Sequence, residues 1–384
     1  MKKKIGILGS TGSIGKLTLE IVDNNKKDFR VLLISANKNY KILLSQAKKF
    51  KPKYIYSTND YLIKKIYDFC KKRKITIINN IKLLDKKDKF DISVCAISGI
   101  AGLVPTIDIV KYSKEIAIAN KESIICGWQF INKELYKYNC KFLPLDSEHF
   151  SIYNLIQNKY KKTIQNICLT ASGGPFFGKK INLKNITPSQ AVRHPKWKMG
   201  KKISVDSANL MNKVLEVFEA SLLFNLPLSK FSIMIHPQSL IHSVIKFKNG
   251  LSTMMYHYND MKIPILNCLY KNLNLKYNLI NKFSFDENNN FQLFFYKVDP
   301  KKNHAIKVLN IAKKLNVNAY ILINAINELL VEKFLKKKIS FSDIIYKLLD
   351  ILQSKIVKNY LKNNKIEHIN DVFRNYEFCR SLLN

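Results

Sequence analysis

At 384 residues, with 65 Lys and Arg against 28 Asp and Glu for a net charge of +37, the chain is long enough for two or three domains and a substantial core. So large a charge would ordinarily raise nucleic-acid binding, but the bases are mostly Lys, scattered singly and in pairs among Asn, Ile, Phe and Tyr, so compositional bias is the reading and nucleic acid is set aside as a partner. The seven cysteines form no C-x-x-C pair and no apolar run approaches a membrane span, so reduced core thiols in a cytoplasmic protein without signal, transit or transmembrane segment are expected.

The first predicted strand, Ile5–Leu8, runs into Gly9-Ser-Thr-Gly12-Ser-Ile-Gly15 and then the apolar-periodic stretch Leu17–Val22. Strand, glycine turn and helix start form the context in which backbone amides receive a pyrophosphate, with Thr11 and Ser13 as added donors. The spacing is G-x-x-G-x-x-G rather than G-x-G-x-x-G, and a plain glycine-rich turn is the alternative. The second strand, Arg30–Ala36, ends in Asn37-Lys38-Asn39, with no Asp or Glu between Asp28 and Asp60. The acid that grips a ribose 2′-hydroxyl is missing, and Lys38 stands where a cation meets a 2′-phosphate, which predicts NADP(H) over NAD(H).

Further strands at Tyr54–Tyr56, Ile75–Ile78, Ile92–Ile97 and Ile116–Ala119 alternate with Lys-rich helical stretches, a doubly wound α/β pattern. Asn120, Lys121 and Glu122 follow the last of these at its carboxyl end and are site candidates, with a polar turn as the alternative.

Leu143-Pro-Leu-Asp146-Ser-Glu148-His149 follows, an apolar run ending in two carboxylates at i and i+2. In an extended segment both point the same way and converge on one cation. A second pair, Glu216 and Glu219, lies one helical turn apart. Oxygen ligands with room for water fit Mg²⁺ or Mn²⁺ better than Zn²⁺. The plainer alternative is that Asp146 caps the next helix and the glutamates are solvated helix positions.

Thr170-Ala-Ser-Gly-Gly-Pro-Phe176, after the strand Asn166–Leu169, reads as an anion-binding turn. The loop Arg193-His-Pro-Lys-Trp197-Lys-Met-Gly200 is either a lid over a ligand or a segment whose Trp packs on its own domain. Ser207 and Lys213 precede Glu216 and can grip a phosphate beside a metal, while His236 and His242, after the strand Phe231–Ile235, read more readily as structural. Residues 271–300, rich in Asn and Lys, read as a linker, and Ala305–Leu315, Ala319–Leu335, Ser342–Ile356 and Asp371–Leu383 show helical periodicity.

These segments, together with Val205-Asp-Ser207, Met211-Asn-Lys213 and Ile235-His-Pro-Gln-Ser239, resemble in order the motifs of the 1-deoxy-D-xylulose 5-phosphate reductoisomerase family over nearly the whole chain. The resemblance implies an α/β protein with an N-terminal Rossmann-like NADPH-binding domain (1–147), a central α/β catalytic domain (148–270), a linker (271–300) and a C-terminal helical bundle (301–384). It implies the metal-dependent rearrangement and reduction of a sugar phosphate, with Mg²⁺ or Mn²⁺ on Asp146, Glu148 and Glu216 and with Lys121 sharing the catalytic role. It places substrate against Lys121, Ser147, Glu148, Ser172, His194, Trp197, Ser207, Asn212, Lys213 and Glu216, and NADPH against Thr11, Gly12, Ser13, Ile14, Asn37, Lys38, Asn39, Asn120, Glu122 and Gly200. Asn37 replaces the usual Gly of the family; Asn tolerates positive φ, so the turn can survive. A homodimer through the central domain is also implied. The rival reading is a different NADP-dependent oxidoreductase with an inserted metal site.

Overall fold

Seven short, largely apolar runs separated by amphipathic helices build a parallel sheet: β1 (Lys3–Leu8), β2 (Phe29–Ser35), β3 (Tyr54–Tyr56), β4 (Thr76–Ile78), β5 (Ile92–Cys95), β6 (Glu115–Ile118) and β7 (Lys141–Pro144). The computed structural model describes residues 1–156, 158–194, 200–270 and 292–383. The strand order is β4-β3-β2-β1-β5-β6-β7, and every pairing is parallel. The order reverses between β1 and β5, which opens a crevice at the strands' carboxyl ends.

The glycine turn sits at that crevice, and its spacing has a geometric reason. Gly9 takes φ +85, and a Cβ on Gly15 would lie 2.4 Å from the Gly9 carbonyl oxygen, so the helix Ser13–Asn24 packs on the end of β1 only with Gly there. Asparagine starts the next helices: Asn39 accepts from the Ile42 amide at 3.0 Å and Asn59 from Leu62 at 3.1 Å.

A second sheet comprises β8 (Ile164–Ala171), β9 (Phe231–Ile235), β10 (Ile241–Phe247), β11 (Ser252–Tyr256) and β12 (Tyr296–Lys297), in the order β11-β10-β8-β9-β12. Only β8 and β9 run parallel. The hairpin β10–β11 was not expected from the sequence, although its Asn249-Gly250 dipeptide is a turn signal. Tyr296 and Lys297 pair with Ile235 and Met234, while residues 271–291 of the expected linker lie outside the described residues.

The C-terminal region is helical: Ala305–Ala312, Asn318–Leu335, Phe341–Gln353, Lys355–Asn363 and Ile369–Leu383. The single helix expected over 342–356 is instead two, because Ser354 (ψ 148) ends the first and caps the second, accepting from the Val357 amide at 3.2 Å. Asn318–Leu335 is buried on most sides and packs on Lys121–Lys137, Lys201–Ala208 and Ile369–Leu383. Tyr320 stacks on Phe218 with ring centroids 4.4 Å apart, locking this region to the site-bearing helix Met211–Phe224. No described helix is long and apolar enough to cross a membrane.

Candidate active site

One cavity of about 710 Å³ joins the glycine turn to the acidic residues. Gly12, Ser13 and Ile14 line it at the start of the first helix, with Thr11 one residue before. Asn120, Lys121 and Glu122 line it at the start of the helix that follows β6. The Asn120 side chain is committed to structure: Oδ1 accepts from the Ser123 amide at 2.7 Å, and Nδ2 donates to the Gly99 carbonyl at 2.9 Å and to that of Ile97. Asn37, Lys38 and Asn39 are exposed after β2 and are not among the cavity's lining residues. Asn37 is not among the described residues with positive φ, so its side chain costs no left-handed backbone strain.

The two carboxylates after β7 converge, but not through an extended strand as the i, i+2 spacing implied. β7 ends at Pro144, and Glu148 lies in the first turn of the helix Ser147–Leu155. Asp146 does cap that helix, Oδ1 accepting from the Glu148 amide at 3.2 Å, so capping and convergence hold together. The expectation of solvated glutamates fails on burial: Glu216 and Glu219 are 2% and 1% exposed. One carboxylate oxygen each from Asp146, Glu148 and Glu216 lie within 4.8 Å of one another, as do ligand atoms of Asp146, His149 and Glu219.

Two lysines thread the acids. Lys121 Nζ lies 3.1 Å from Glu216, 3.4 Å from Asp146 and 3.9 Å from Glu219. Lys213 Nζ pairs with Glu148 and lies 2.5 Å from Glu216 Oε2. Asp146, Glu148, Glu216 and Glu219 face two ammonium groups, so with all four acids ionised the cluster would carry an excess of two negative charges, and burial, which raises the Glu148 and Glu219 carboxyls, relieves that excess in the metal-free fold by protonation; Glu219 Oε2 is buried without a hydrogen-bond partner among the described residues. A divalent cation on hard oxygen ligands fits that deficit.

Beside the acids lies a hydroxyl and amide cradle. Ser172 Oγ is 3.0 Å from His194 Nε2 and accepts from the Gly174 amide at 3.1 Å. A Cβ at Gly174 would come within 2.9 Å of the Ser207 carbonyl oxygen, so the glycine lets the turn after β8 press against Ser207. Leu210, left-handed at φ 70, makes the sharp turn between Lys201–Ala208 and Met211–Phe224 that precedes Asn212 and Lys213. Ser147 Oγ donates to Glu148 Oε2 at 2.6 Å. Gly200 precedes Lys201–Ala208 and lines the cavity, whereas Trp197 and Met199 lie outside the described residues. His242 lines the cavity and stacks on His257, ring centroids 3.9 Å apart, while His236 Nδ1 donates to the Phe294 carbonyl at 2.8 Å.

Family models described as 1-deoxy-D-xylulose 5-phosphate reductoisomerase match residues 5–127, and those of its C-terminal domains match 142–224 and 257–381. The chain belongs to the 1-deoxy-D-xylulose 5-phosphate reductoisomerase family. The reductoisomerase of Pelagibacter ubique is 43% identical over 380 residues, covering 96% of each chain, and that of Clostridium tetani is 37% identical, covering 97% of this chain and 98% of its own. A solved reductoisomerase in complex with NADPH, fosmidomycin and magnesium superposes with a TM-score of 0.90 at 30% identity, covering 99% of this chain and 97% of that one. The Zymomonas mobilis reductoisomerase in complex with NADPH gives 0.84 at 30% identity, covering 99% and 98%.

Within this reductoisomerase fold the electrostatics carry the mark of an uncompensated cage. Burial, then the neighbouring charge of Glu216, pushes the Glu148 carboxyl up to about 8. Burial alone would raise Asp146 as well, but Lys121 and His149 hold it below the usual carboxylate range. Burial and then Lys213 push the His194 imidazole down to about 4, so it meets a ligand as a neutral ring. Because Glu148 is protonated in the metal-free fold but ionised in the unfolded chain between about pH 4.5 and 8, the unfolded state binds fewer protons there and stability falls as pH rises. Thermal melts should therefore show Mg²⁺ raising Tm more at pH 8.5 than at pH 6; equal shifts would contradict this charge balance.

Sequence reasoning missed Lys202, Asp206 and Glu328. Lys202 Nζ lies 3.2 Å from both Glu122 and Asp206, and Lys202 and Glu328 line the cavity. No local pattern pairs Lys202 with Glu122 across 80 positions; only the i, i+4 spacing of Lys202 and Asp206 was available as a signal.

Proposed function

We propose that this cavity is where the chain converts 1-deoxy-D-xylulose 5-phosphate to 2-C-methyl-D-erythritol 4-phosphate, an NADPH- and divalent-metal-dependent rearrangement and reduction in non-mevalonate isoprenoid precursor synthesis. The observation that carries it is the buried carboxylate cage, four acids against two ammonium groups, in one cavity with the glycine turn. Asp146, Glu148 and Glu216 would hold Mg²⁺ or Mn²⁺, which supplies Lewis acidity to polarise the carbonyl and acidify the vicinal hydroxyl. NADPH, which supplies the hydride, would meet Thr11, Gly12, Ser13 and Ile14 at one part of the cavity and Asn120, Glu122 and Gly200 at another. Asn37, Lys38 and Asn39 would meet its 2′-phosphate from outside the cavity wall.

The residues of the chain do the positioning. Lys213 and Lys121 hold the acids in place, and with a divalent ion held by those carboxylates Lys213 would be free to join Ser172, Ser207 and Asn212 around the phosphate. His194, neutral, orients Ser172 and can donate to a phosphate oxygen without adding charge. Lys121 and Ser147 are placed to meet the carbon chain, and Trp197 is proposed to close over it.

The test is product identity by ¹³C NMR: the branched tetrol phosphate supports the reading, and an unrearranged reduced sugar phosphate supports the rival oxidoreductase. With a net charge of +37 steering an anionic substrate, kcat/KM should fall by about fivefold between roughly 20 and 200 mM salt while kcat holds, and a flat profile would remove steering from the account. A homodimer through the central domain and the division at 147, 270 and 300 are part of the proposal, checked by light scattering and limited proteolysis. A cytoplasmic location is supported by seven buried cysteines, all unpaired.

A further inference from the structure

Glu328 belongs to the buried helix Asn318–Leu335 of the C-terminal region, yet it reaches the wall of the cavity. A Cβ added at Gly99, in the loop after β5, would stand 3.5 Å from Glu328 Oε1. That loop lies at the carboxyl edge of the parallel sheet, beside the reversal of strand order, so Glu328 borders the crevice in which such sheets hold a dinucleotide. Its other oxygen is fixed by the Tyr376 hydroxyl, which donates to Oε2 at 3.4 Å and is itself held by Asn324 at 2.7 Å.

The charge around Glu328 does not balance. One ammonium, Lys202, already serves both Glu122 and Asp206 at 3.2 Å each, and Asp206 takes a further hydrogen bond from Asn327 at 2.8 Å. Adding Glu328 makes three carboxylates against one ammonium. Burial raises the Glu328 carboxyl, and the charges of Glu122 and Asp206 add to that in spite of Lys202. A cluster that served only to join helices would gain nothing from the excess, since unpaired buried charge costs stability.

Location gives the excess a use. Glu122 follows Lys121, whose ammonium sits among the metal-binding carboxylates, so this cluster adjoins the reaction centre rather than the adenosine end near Lys38. We propose that Glu328, together with Glu122, forms an anionic wall at the hydride-donating end of the cofactor pocket and stabilises the positive charge that the nicotinamide ring acquires on oxidation, an inference that rests on the NADPH-dependent reading above. The balance is simple: the hydride leaves ring C4 with its electron pair, the aldehyde carbon gains a C–H bond, the carbonyl oxygen takes a proton, and the ring is left a pyridinium cation.

The measurement is the ratio of Kd for NADP⁺ to Kd for NADPH, by calorimetry, in the full-length wild type, Glu328→Gln and Glu328→Asp. Removing the charge should raise that ratio by about tenfold, the scale of one unit charge acting across a partly screened pocket, while Glu328→Asp should keep it within about twofold. A purely structural role would weaken both forms together and leave the ratio alone. Should Glu328→Gln not fold, the ratio is read on Glu122→Gln, where it should move the same way. An unchanged ratio in a folded variant overturns the anionic wall and leaves the enzymatic reading standing; wild-type protein that binds neither form overturns both.

Discussion

Glu216→Gln should lower kcat/KM by about a thousandfold and abolish the rise in Tm that Mg²⁺ produces. A group that only orients a metal ligand typically costs 10- to 100-fold when removed, so the loss of a charged ligand should cost more than that. The change keeps the shape of the side chain, and Glu216 is buried on a helix whose neighbours stay in place, so folding should survive. The metal-free protein should melt below the wild-type temperature, because Glu216 pairs with both Lys121 and Lys213 and the neutral side chain leaves those two buried ammonium groups undercompensated. Lost activity together with a lost Mg²⁺ response in a variant that still unfolds cooperatively is a signature that damage to packing does not give. A variant that melts lower and still gains stability from Mg²⁺ would move the ion away from Glu216.

Replacing the substrate by 1-deoxy-D-xylulose, which lacks the phosphate, should reduce kcat/KM by about four orders of magnitude and reduce kcat as well. The cradle proposed for the phosphate is assembled from distant parts of the chain: Ser172 after β8, Ser207 pressed against Gly174, and Asn212 and Lys213 beyond the strained turn at Leu210. On the proposed assignment, binding there would draw Lys213 away from Glu148 and Glu216, which would link occupancy of the cradle to readiness of the carboxylates for a cation through one side chain. Saturating sugar cannot restore that link, and steady-state kinetics at high sugar concentration would show it as a depressed kcat. Full turnover without the phosphate would mean that the cradle only captures substrate.

Much of this architecture was legible in the sequence where one local segment carried the signal. The glycine turn announced itself by sitting between a strand and a helix, and the helix starts at Asn39, Asn59 and Asn120 followed capping rules. Asp146 shows a limit of such reasoning: capping and metal binding read as rivals, but the cap engages Oδ1 while Oδ2 faces Lys121 among the acids, so capping the helix leaves the residue in the cluster proposed to hold the ion. Burial of Glu216 and Glu219 was not readable, since a helix surrounded by packed elements has no solvated face to reveal by periodicity. The Glu122–Lys202–Asp206 cluster and Glu328 were invisible because their partners come from four helices far apart in the chain, and in a sequence so rich in Lys no single lysine stands out.

The most direct test of the central claim follows NADPH absorbance with purified protein, 1-deoxy-D-xylulose 5-phosphate and Mg²⁺ or Mn²⁺, beside samples with chelator added and with Glu216→Gln. Oxidation that requires the metal and is abolished in both controls is the predicted result; folded protein that oxidises no NADPH with either metal, or oxidises it undiminished in chelator, would contradict the assignment of the buried carboxylates as the centre of this chemistry.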